Sequence, residues 1–229
     1  MKTERRRLLA GLLASAASAL TPRSAHPQAG SLFSFKDDQG RQVYNYRLPS
    51  DLSVEGLPGV LWTGARTPDV ILIEFFDYNC PYCRAAATDL DDLLRNTPTL
   101  RLGLVNNAVL SPGSVQAAKV QQAVLRSSGP DMAFRFHRRL YESRGAIDGP
   151  LALAALKDLG LDAKSVEQAA DLPQIGDVVR RQRQLAEALG FEATPSFMLG
   201  SIGLVGYPGP AALGRAVAAF RRCDKLVCP

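Results

Sequence analysis

Between residues 70 and 105 the hydrophobic pattern changes its period twice. Val70 to Phe76 is an apolar run broken only by Glu74. Such a run, without polar alternation, predicts a central strand covered on both faces. From Pro81 to Asn96 the spacing becomes helical. Ala85, Ala86, Leu90, Leu93 and Leu94 recur on one side, and Asp89, Asp91 and Asp92 take the other. Leu100 to Val105 is again strand-like, so the three segments predict a β–α–β unit with a parallel pair. Upstream, Leu32, Phe33 and Phe35 are separated from Val43, Tyr44 and Tyr46 by Asp37-Asp38-Gln39-Gly40, which predicts a hairpin over 31–47. Gly56, Pro58, Gly59 and Gly64 mark 49–64 as a loop with a short strand or turn at Val60–Trp62. Trp62, the only tryptophan, is expected to be a packing residue.

Downstream, 111–190 is helical almost throughout. Ser111-Pro112 opens a helix that ends before Gly129-Pro130, and Asp131 caps the next, with Met132, Phe136 and Leu140 on one face. Asp148-Gly149-Pro150 opens a third helix that ends at Gly160, and Asp162 caps a short fourth. A fifth runs from Pro173 to Leu189, stopped by Gly190. Arg180, Arg181 and Arg183 read as a solvated helix face. β-structure returns at Ser196–Leu199, turns at Gly200-Ser201 and comes back over Ile202–Val205 as an antiparallel hairpin. Pro208-Gly209-Pro210 starts a last helix with Leu213, Val217 and Phe220 inward. The order β, β, α, β, helical block, β, β, α describes an α/β unit interrupted by helices, with no internal repeat.

Composition changes this picture mainly at the N-terminus. An apolar fraction of 46% and a charged fraction of 21% are ordinary for a chain of 229 residues that buries a core. Residues 1–29 have the form of an export signal. Lys2, Arg5, Arg6 and Arg7 precede a short apolar stretch, Leu8 to Leu20, and Ala17-Ser18-Ala19 offers a cleavage site, with Ala29 as a second candidate. Arg5-Arg6-Arg7-Leu8-Leu9 also fits a twin-arginine signal. Five of the 27 basic residues and one of the 22 acidic residues lie in this stretch, so the remainder carries 22 and 21, a net charge of +1. The formal +5 of the whole chain is therefore a targeting property and does not point to nucleic acid. Beyond the N-terminus no apolar run is long enough to span a bilayer.

The four cysteines are Cys80, Cys83, Cys223 and Cys228, an even number that fits an oxidising compartment. There are two histidines, His26 and His137, which argues against a His-rich metal site or a Cys-His hydrolase. His137 has no acidic or cysteine partner nearby in sequence, so a structural or surface role is expected. Cys80-Pro81-Tyr82-Cys83 sits at the strand-to-helix junction. A bare C-x-x-C serves zinc knuckles, copper chaperones and dithiol redox sites alike. The junction favours redox chemistry: a cysteine at a helix N-terminus meets free N–H groups and the positive dipole end, which stabilise its thiolate. Pro81 suits the first helical turn. Glu74, an acid in an apolar strand, is expected to have a raised pKa and to exchange protons with the inner thiol of Cys83. Pro195, at the start of a strand after Thr194, is a candidate cis-proline that presents backbone to whatever binds the dithiol.

Glu-Phe-Phe-Asp-Tyr-x-Cys-Pro-x-Cys, an inserted helical block, then Thr-Pro-Ser-Phe and a hairpin together resemble the DsbA-like thiol:disulfide oxidoreductases of the thioredoxin superfamily. The resemblance covers about Phe33 to Phe220 and is specific as a combination. It implies a thioredoxin-like α/β fold with an inserted all-helical domain. The implied division is 1–29 export signal, 30–109 first part of the thioredoxin-like domain, 110–189 helical insertion, and 190–229 second part with the C-terminal tail. Position by position, it implies that Cys80 is an exposed nucleophile, Cys83 a buried resolving cysteine, Glu74 a buried acid and Pro195 a cis-proline facing the dithiol. Thr194 would pair its backbone with a bound client peptide, and Pro81 and Tyr82 would lie at the same contact. Tyr82 departs from the histidine of the most strongly oxidising members. Without a cationic imidazole, the Cys80 thiolate should be less stabilised than in those members, where the pKa is about 3.5, and the potential less oxidising than their roughly −120 mV.

The expected activity is exchange of a Cys80–Cys83 disulfide with cysteines of exported client proteins in a periplasmic setting, in the oxidising direction, with no cofactor. By resemblance alone, a membrane quinone-linked thiol oxidase or reductase would be its redox partner. The same scaffold serves reductases and isomerases, although isomerases usually carry a dimerisation segment and 30–69 is short for one. A soft-metal module using both thiols, and a client-binding role using only the groove, are the rivals from other classes. Cys223 and Cys228 lie outside the resemblance. A structural disulfide pinning the tail is the favoured reading in an exported chain, ahead of a second redox pair and of a metal site.

Overall fold

The computed structural model describes residues 30–229. The expected export signal at 1–29 lies outside the described residues.

Val70–Phe76 forms β3, the centre of a six-stranded sheet. Its neighbours are β4 (Leu100–Asn106), parallel to it, and β5 (Ser196–Leu199), antiparallel. Outside these stand β2 (Leu61–Gly64) on β4, and β6 (Ile202–Val205) followed by β1 (Asn45–Arg47) on β5. The order is β1-β6-β5-β3-β4-β2. The lack of polar alternation in β3 has its reason in two separate cores. Val70, Leu72 and Phe76 enter the larger cluster, while Ile73 and Phe75 enter a second one with Val105, Leu189 and Phe191. Side chains alternate across a pleat, so Glu74 shares the face of Leu72 and Phe76. Ile71, near the start of the strand, is the exception, with 40% exposure.

Helix α1 (Pro81–Asn96) lies on the larger core through Cys83, Ala86, Ala87 and Leu90, at i, i+3, i+4 and i+7. The inward face is rotated from the expected one: Ala87 is buried where Ala85 is exposed. Helix α6 (Pro210–Cys223) joins the same core through Leu213 and Val217, with Phe220 half-buried against it.

The helical block consists of α2 (Pro112–Glu142), α3 (Gly149–Ala155) with a 3₁₀ turn over Leu156–Leu159, α4 (Ala163–Ala170) and α5 (Pro173–Ala188). The sequence break at Gly129-Pro130 is present inside α2, where Gly129 adopts φ +81° and joins two helical limbs without a loop. Three of the expected caps are in place. Ser111, Asp148 and Asp162 accept hydrogen bonds from the backbone of Ser114, Leu151 and Ser165. Phe136 and Leu140 of α2 enter the same cluster as Phe76 and Cys83, so the insertion shares its core with the sheet.

One expected element is corrected. Residues 31–47 do not form a two-stranded hairpin. A single bridge, Lys36 to Gln42, closes the turn, and the later strand pairs with β6 instead. The buried Asn45 side chain explains this. It accepts from Phe33 N–H at 2.8 Å and donates to the carbonyls of Phe33 and Val43, which interrupts the backbone pairing that Leu32, Phe35 and Asp37 keep with the later limb. Trp62 packs against Gly103, its partner across β2–β4, with the Arg101 guanidinium 4.6 Å above its ring.

Candidate active site

Cys80 is the N-cap residue of α1, in extended conformation, and Pro81 follows in the first turn. The Cys80 sulfur faces the start of the helix on one side and the Thr194-Pro195 loop on the other. Its thiol donates to Thr194 O at 3.0 Å. The Thr194–Pro195 peptide is cis. Pairing of β5 with β3 places this loop beside the dithiol, with Glu74 opposite Phe197 and Phe75 opposite Ser196. Both cysteines are free thiols.

The two thiols differ sharply. The Cys83 thiol beside the Cys80 sulfur makes the largest contribution to a Cys80 pKa that falls, on balance, from 9.0 to about 6. The Thr194 side chain and the Cys83 and Tyr82 N–H groups add to this, against the opposing effect of burial. Cys83 is fully buried. Desolvation, the Cys80 hydrogen bond and the charge of Glu74 push its own thiol far above the ordinary range. Glu74 is 1% exposed, and one carboxyl oxygen, Oε1, has no hydrogen-bond partner. Burial first, and the Cys80 charge second, raise its pKa from 4.5 to about 8, so Glu74 holds a proton at neutral pH.

The structure therefore gathers Cys80, Cys83, Glu74, Thr194 and Pro195 at one point, at the ends of β3, α1 and β5. Tyr82 stands at the rim, 65% exposed, with Pro81 exposed beside it. The expectation of an exposed Cys80 is corrected: the residue is only 4% exposed. Its sulfur is tucked between the helix start and the Thr194 carbonyl. A cleft of about 520 Å³, walled by Tyr78, Asn79, Arg84, Leu110 and Ala146, reaches it from the side of the insertion.

His137 is buried, with Nδ1 3.3 Å from the Tyr78 hydroxyl and its ring edge-on to Phe76 and Tyr141. Desolvation lowers its pKa to about 3, so the ring is neutral and serves packing. Cys223 and Cys228 are joined to each other by a disulfide at the end of α6, which holds Leu226, 2% exposed, against the core. Asp77 and Asn79, next to Cys80, were not signalled by spacing or periodicity, yet both are heavily hydrogen-bonded at the site. The Asp-x-Asn-Cys order, polar residues where an apolar strand ends, was the available signal.

Residues 57–217 match the family model described as Thioredoxin. The chain is 27% identical over 171 residues to the thiol:disulfide interchange protein DsbA of Bordetella parapertussis, a match that covers 71% of this chain and 73% of that protein. It is 28% identical over 138 residues to the Na(+)/H(+) antiporter NhaA of Herminiimonas arsenicoxydans, covering 59% of this chain but spanning only 21% of that longer protein. A solved thioredoxin-like oxidoreductase from Silicibacter pomeroyi DSS-3 superposes with a TM-score of 0.67 at 30% identity, over 72% of this chain and 94% of that one.

Proposed function

The chain belongs to the thioredoxin family, as a DsbA-like member with a helical insertion, and on that premise we propose that it is an exported thiol:disulfide oxidoreductase that oxidises client proteins through Cys80 and Cys83. The observation that carries this reading is the asymmetry of the pair: a stabilised thiolate at Cys80 against a buried, hard-to-ionise thiol at Cys83 beside protonated Glu74. In the oxidised enzyme a client thiolate attacks the Cys80 sulfur. The Cys80–Cys83 bond breaks, its electron pair goes to the Cys83 sulfur, and Glu74 supplies the proton that this buried leaving group needs. A second client thiolate attacks the client sulfur of the mixed disulfide and displaces Cys80 as thiolate. The client loses two electrons and gains a disulfide, and the enzyme is left as the dithiol.

Stabilising the leaving thiolate of Cys80 favours reduced enzyme, which makes its disulfide an oxidant. The same shift sets a pH dependence. A thiol whose folded pKa is depressed contributes stability that is present above its unfolded value of 9.0 and lost as pH falls through about 6. From the Cys80 contribution, the stability of reduced over oxidised protein rises between pH 6 and 9, measured by denaturant titration of both forms. Thr194 and Pro195 would present backbone to the client beside the sulfur, and Tyr82 and Pro81 would form the rim of that contact. Reoxidation would fall to a membrane quinone-linked thiol oxidase, and the clients would be unfolded exported chains bearing cysteines. Cys223–Cys228 would be structural.

Comparing oxidative refolding of a reduced, disulfide-requiring substrate with reduction of insulin tests the direction. Faster catalysis of refolding is expected. Efficient insulin reduction with no oxidative activity would place the protein among the reductases or isomerases instead.

A further inference from the structure

Between β3 and Cys80 stands a turn, Asp77-Tyr78-Asn79, whose polar side chains the exchange chemistry does not use. Asp77 is 1% exposed, and its carboxylate accepts four hydrogen bonds. Oδ1 accepts from Asn79 N–H at 2.7 Å and from the Ser114 hydroxyl at 2.6 Å. Oδ2 accepts from the backbone N–H groups of Val109 at 2.8 Å and Leu110 at 2.9 Å. None of the ion pairs among the described residues involves Asp77. A buried carboxylate without a cation survives only when its oxygens are satisfied by donors. Three of the four donors here come from the strap into α2 and from its first turn.

Asn79 extends the same anchor. Its Oδ1 accepts from Ile147 N–H at 2.7 Å, and its Nδ2 donates to Ile147 O at 2.8 Å and to the Ser114 hydroxyl at 3.0 Å. The backbone closes the turn: Cys80 N–H and the Tyr141 hydroxyl both donate to Asp77 O, at 3.1 Å each. No hydrogen bond of cap geometry fixes the Cys80 side chain to α1, although the Tyr82 and Cys83 N–H groups lie near enough to its sulfur to favour the thiolate. Its place over the helix start is thus set by how the chain enters the helix, and the entry is bolted to the insertion.

We propose that Asp77 is a positioning residue for Cys80, through which the helical insertion holds the 77–80 turn so that the sulfur stays over the first N–H groups of α1. The proposal rests on the reading of Cys80 as the nucleophile. Its partners lie in the turn, in the strap into α2 and on α2, none on α1, so the carboxylate works as an anchor and not as a counter-charge. The titratable groups that interact with Cys80 are Cys83 and Glu74, and the substitutions below leave both in place. In Asp77→Asn an amide NH₂ faces either the Val109 and Leu110 N–H groups, which loses both bonds, or Asn79 N–H and the Ser114 hydroxyl, which loses the Asn79 bond and forces the Ser114 bond to reverse. Ser114→Ala removes one of the four bonds to Asp77, together with the contacts of the same hydroxyl to Asn79 and Ser111.

The test is titration of the Cys80 thiolate by ultraviolet absorbance in the reduced, full-length chain, beside thermal denaturation. In Asp77→Asn the ratio of thiolate to thiol at pH 6.5 falls about tenfold, which is one pKa unit, and in Ser114→Ala about threefold. A folded Asp77→Asn with a lower melting temperature but the wild-type midpoint overturns the proposal, because a merely structural residue gives that result. If Asp77→Asn does not fold, Ser114→Ala decides: a shifted midpoint supports the proposal and an unchanged one overturns it. A wild-type protein whose Cys80 titrates near the ordinary thiol value overturns the nucleophile reading and this proposal with it. A low wild-type midpoint with unchanged variants overturns this proposal alone.

Discussion

Cys80→Ser abolishes exchange, by on the order of a thousandfold or more, in oxidative refolding and insulin reduction alike. A serine hydroxyl at the same N-cap is not ionised near neutral pH and cannot form the mixed disulfide. Cys83→Ala separates the two roles. Cys80 still has the helix start and the Tyr82 N–H beneath it, so it still reacts with client disulfides, but nothing buried is left to resolve the product. Mixed disulfides between Cys80 and client chains then accumulate and are visible on non-reducing gels. The low-pKa thiolate should also be partly lost, because the Cys83 hydrogen bond makes the largest contribution to it. Turnover in Cys80→Ser near the wild-type level would leave the groove alone as the active element and favour a binding role.

Glu74→Gln raises stability and lowers activity together. A carboxyl whose folded pKa is raised from 4.5 to about 8 contributes stability that is fully present below 4.5 and lost as pH rises through about 8. Glutamine has no such loss. The variant should therefore match wild type near pH 4 and exceed it by on the order of 4–5 kcal/mol near pH 8.5, read from urea denaturation at both pH values. Removing the proton that the Cys83 leaving group takes should slow exchange by roughly 10²-fold. Equal stability of the two proteins at pH 8.5 would mean that Glu74 is paired or hydrated in solution and is not the proton store assigned here. A gain in stability coupled to a loss of rate is the signature of a group retained for chemistry.

The parts of the site that were legible in sequence are those with a local signature. The C-x-x-C spacing, the strand before it and Pro81 after it fix Cys80 at a helix start, and a single acid in an apolar run marks Glu74. The pleat then puts Glu74 on the Cys83 face without further information. Pro195 was legible only as a proline opening a strand. Its approach to Cys80 depends on β5 pairing with β3, a contact across more than a hundred residues. Asp77 stands in the motif and Asn79 in the polar stretch after the strand, but their anchoring role was illegible for the same reason: their partners at 109–114 and 147 carry no pattern that points back to the turn. The near-burial of Cys80 was missed because the Thr194 carbonyl that covers it arrives from that distant loop. The hairpin over 31–47 shrinks to one bridge and a few backbone bonds, because the Asn45 side chain takes the Phe33 N–H and carbonyl, and periodicity does not register such a substitution.

The most direct test of an oxidising Cys80–Cys83 pair is its reduction potential, from equilibration with glutathione buffers. A Cys80 pKa of about 6 lies between the roughly 3.5 of the strongest oxidants in this superfamily and the roughly 7 of thioredoxin itself. The potential should accordingly fall between about −120 and −270 mV. A value at or above about −120 mV would contradict the role given to Tyr82, and one at or below about −270 mV would contradict an oxidase altogether.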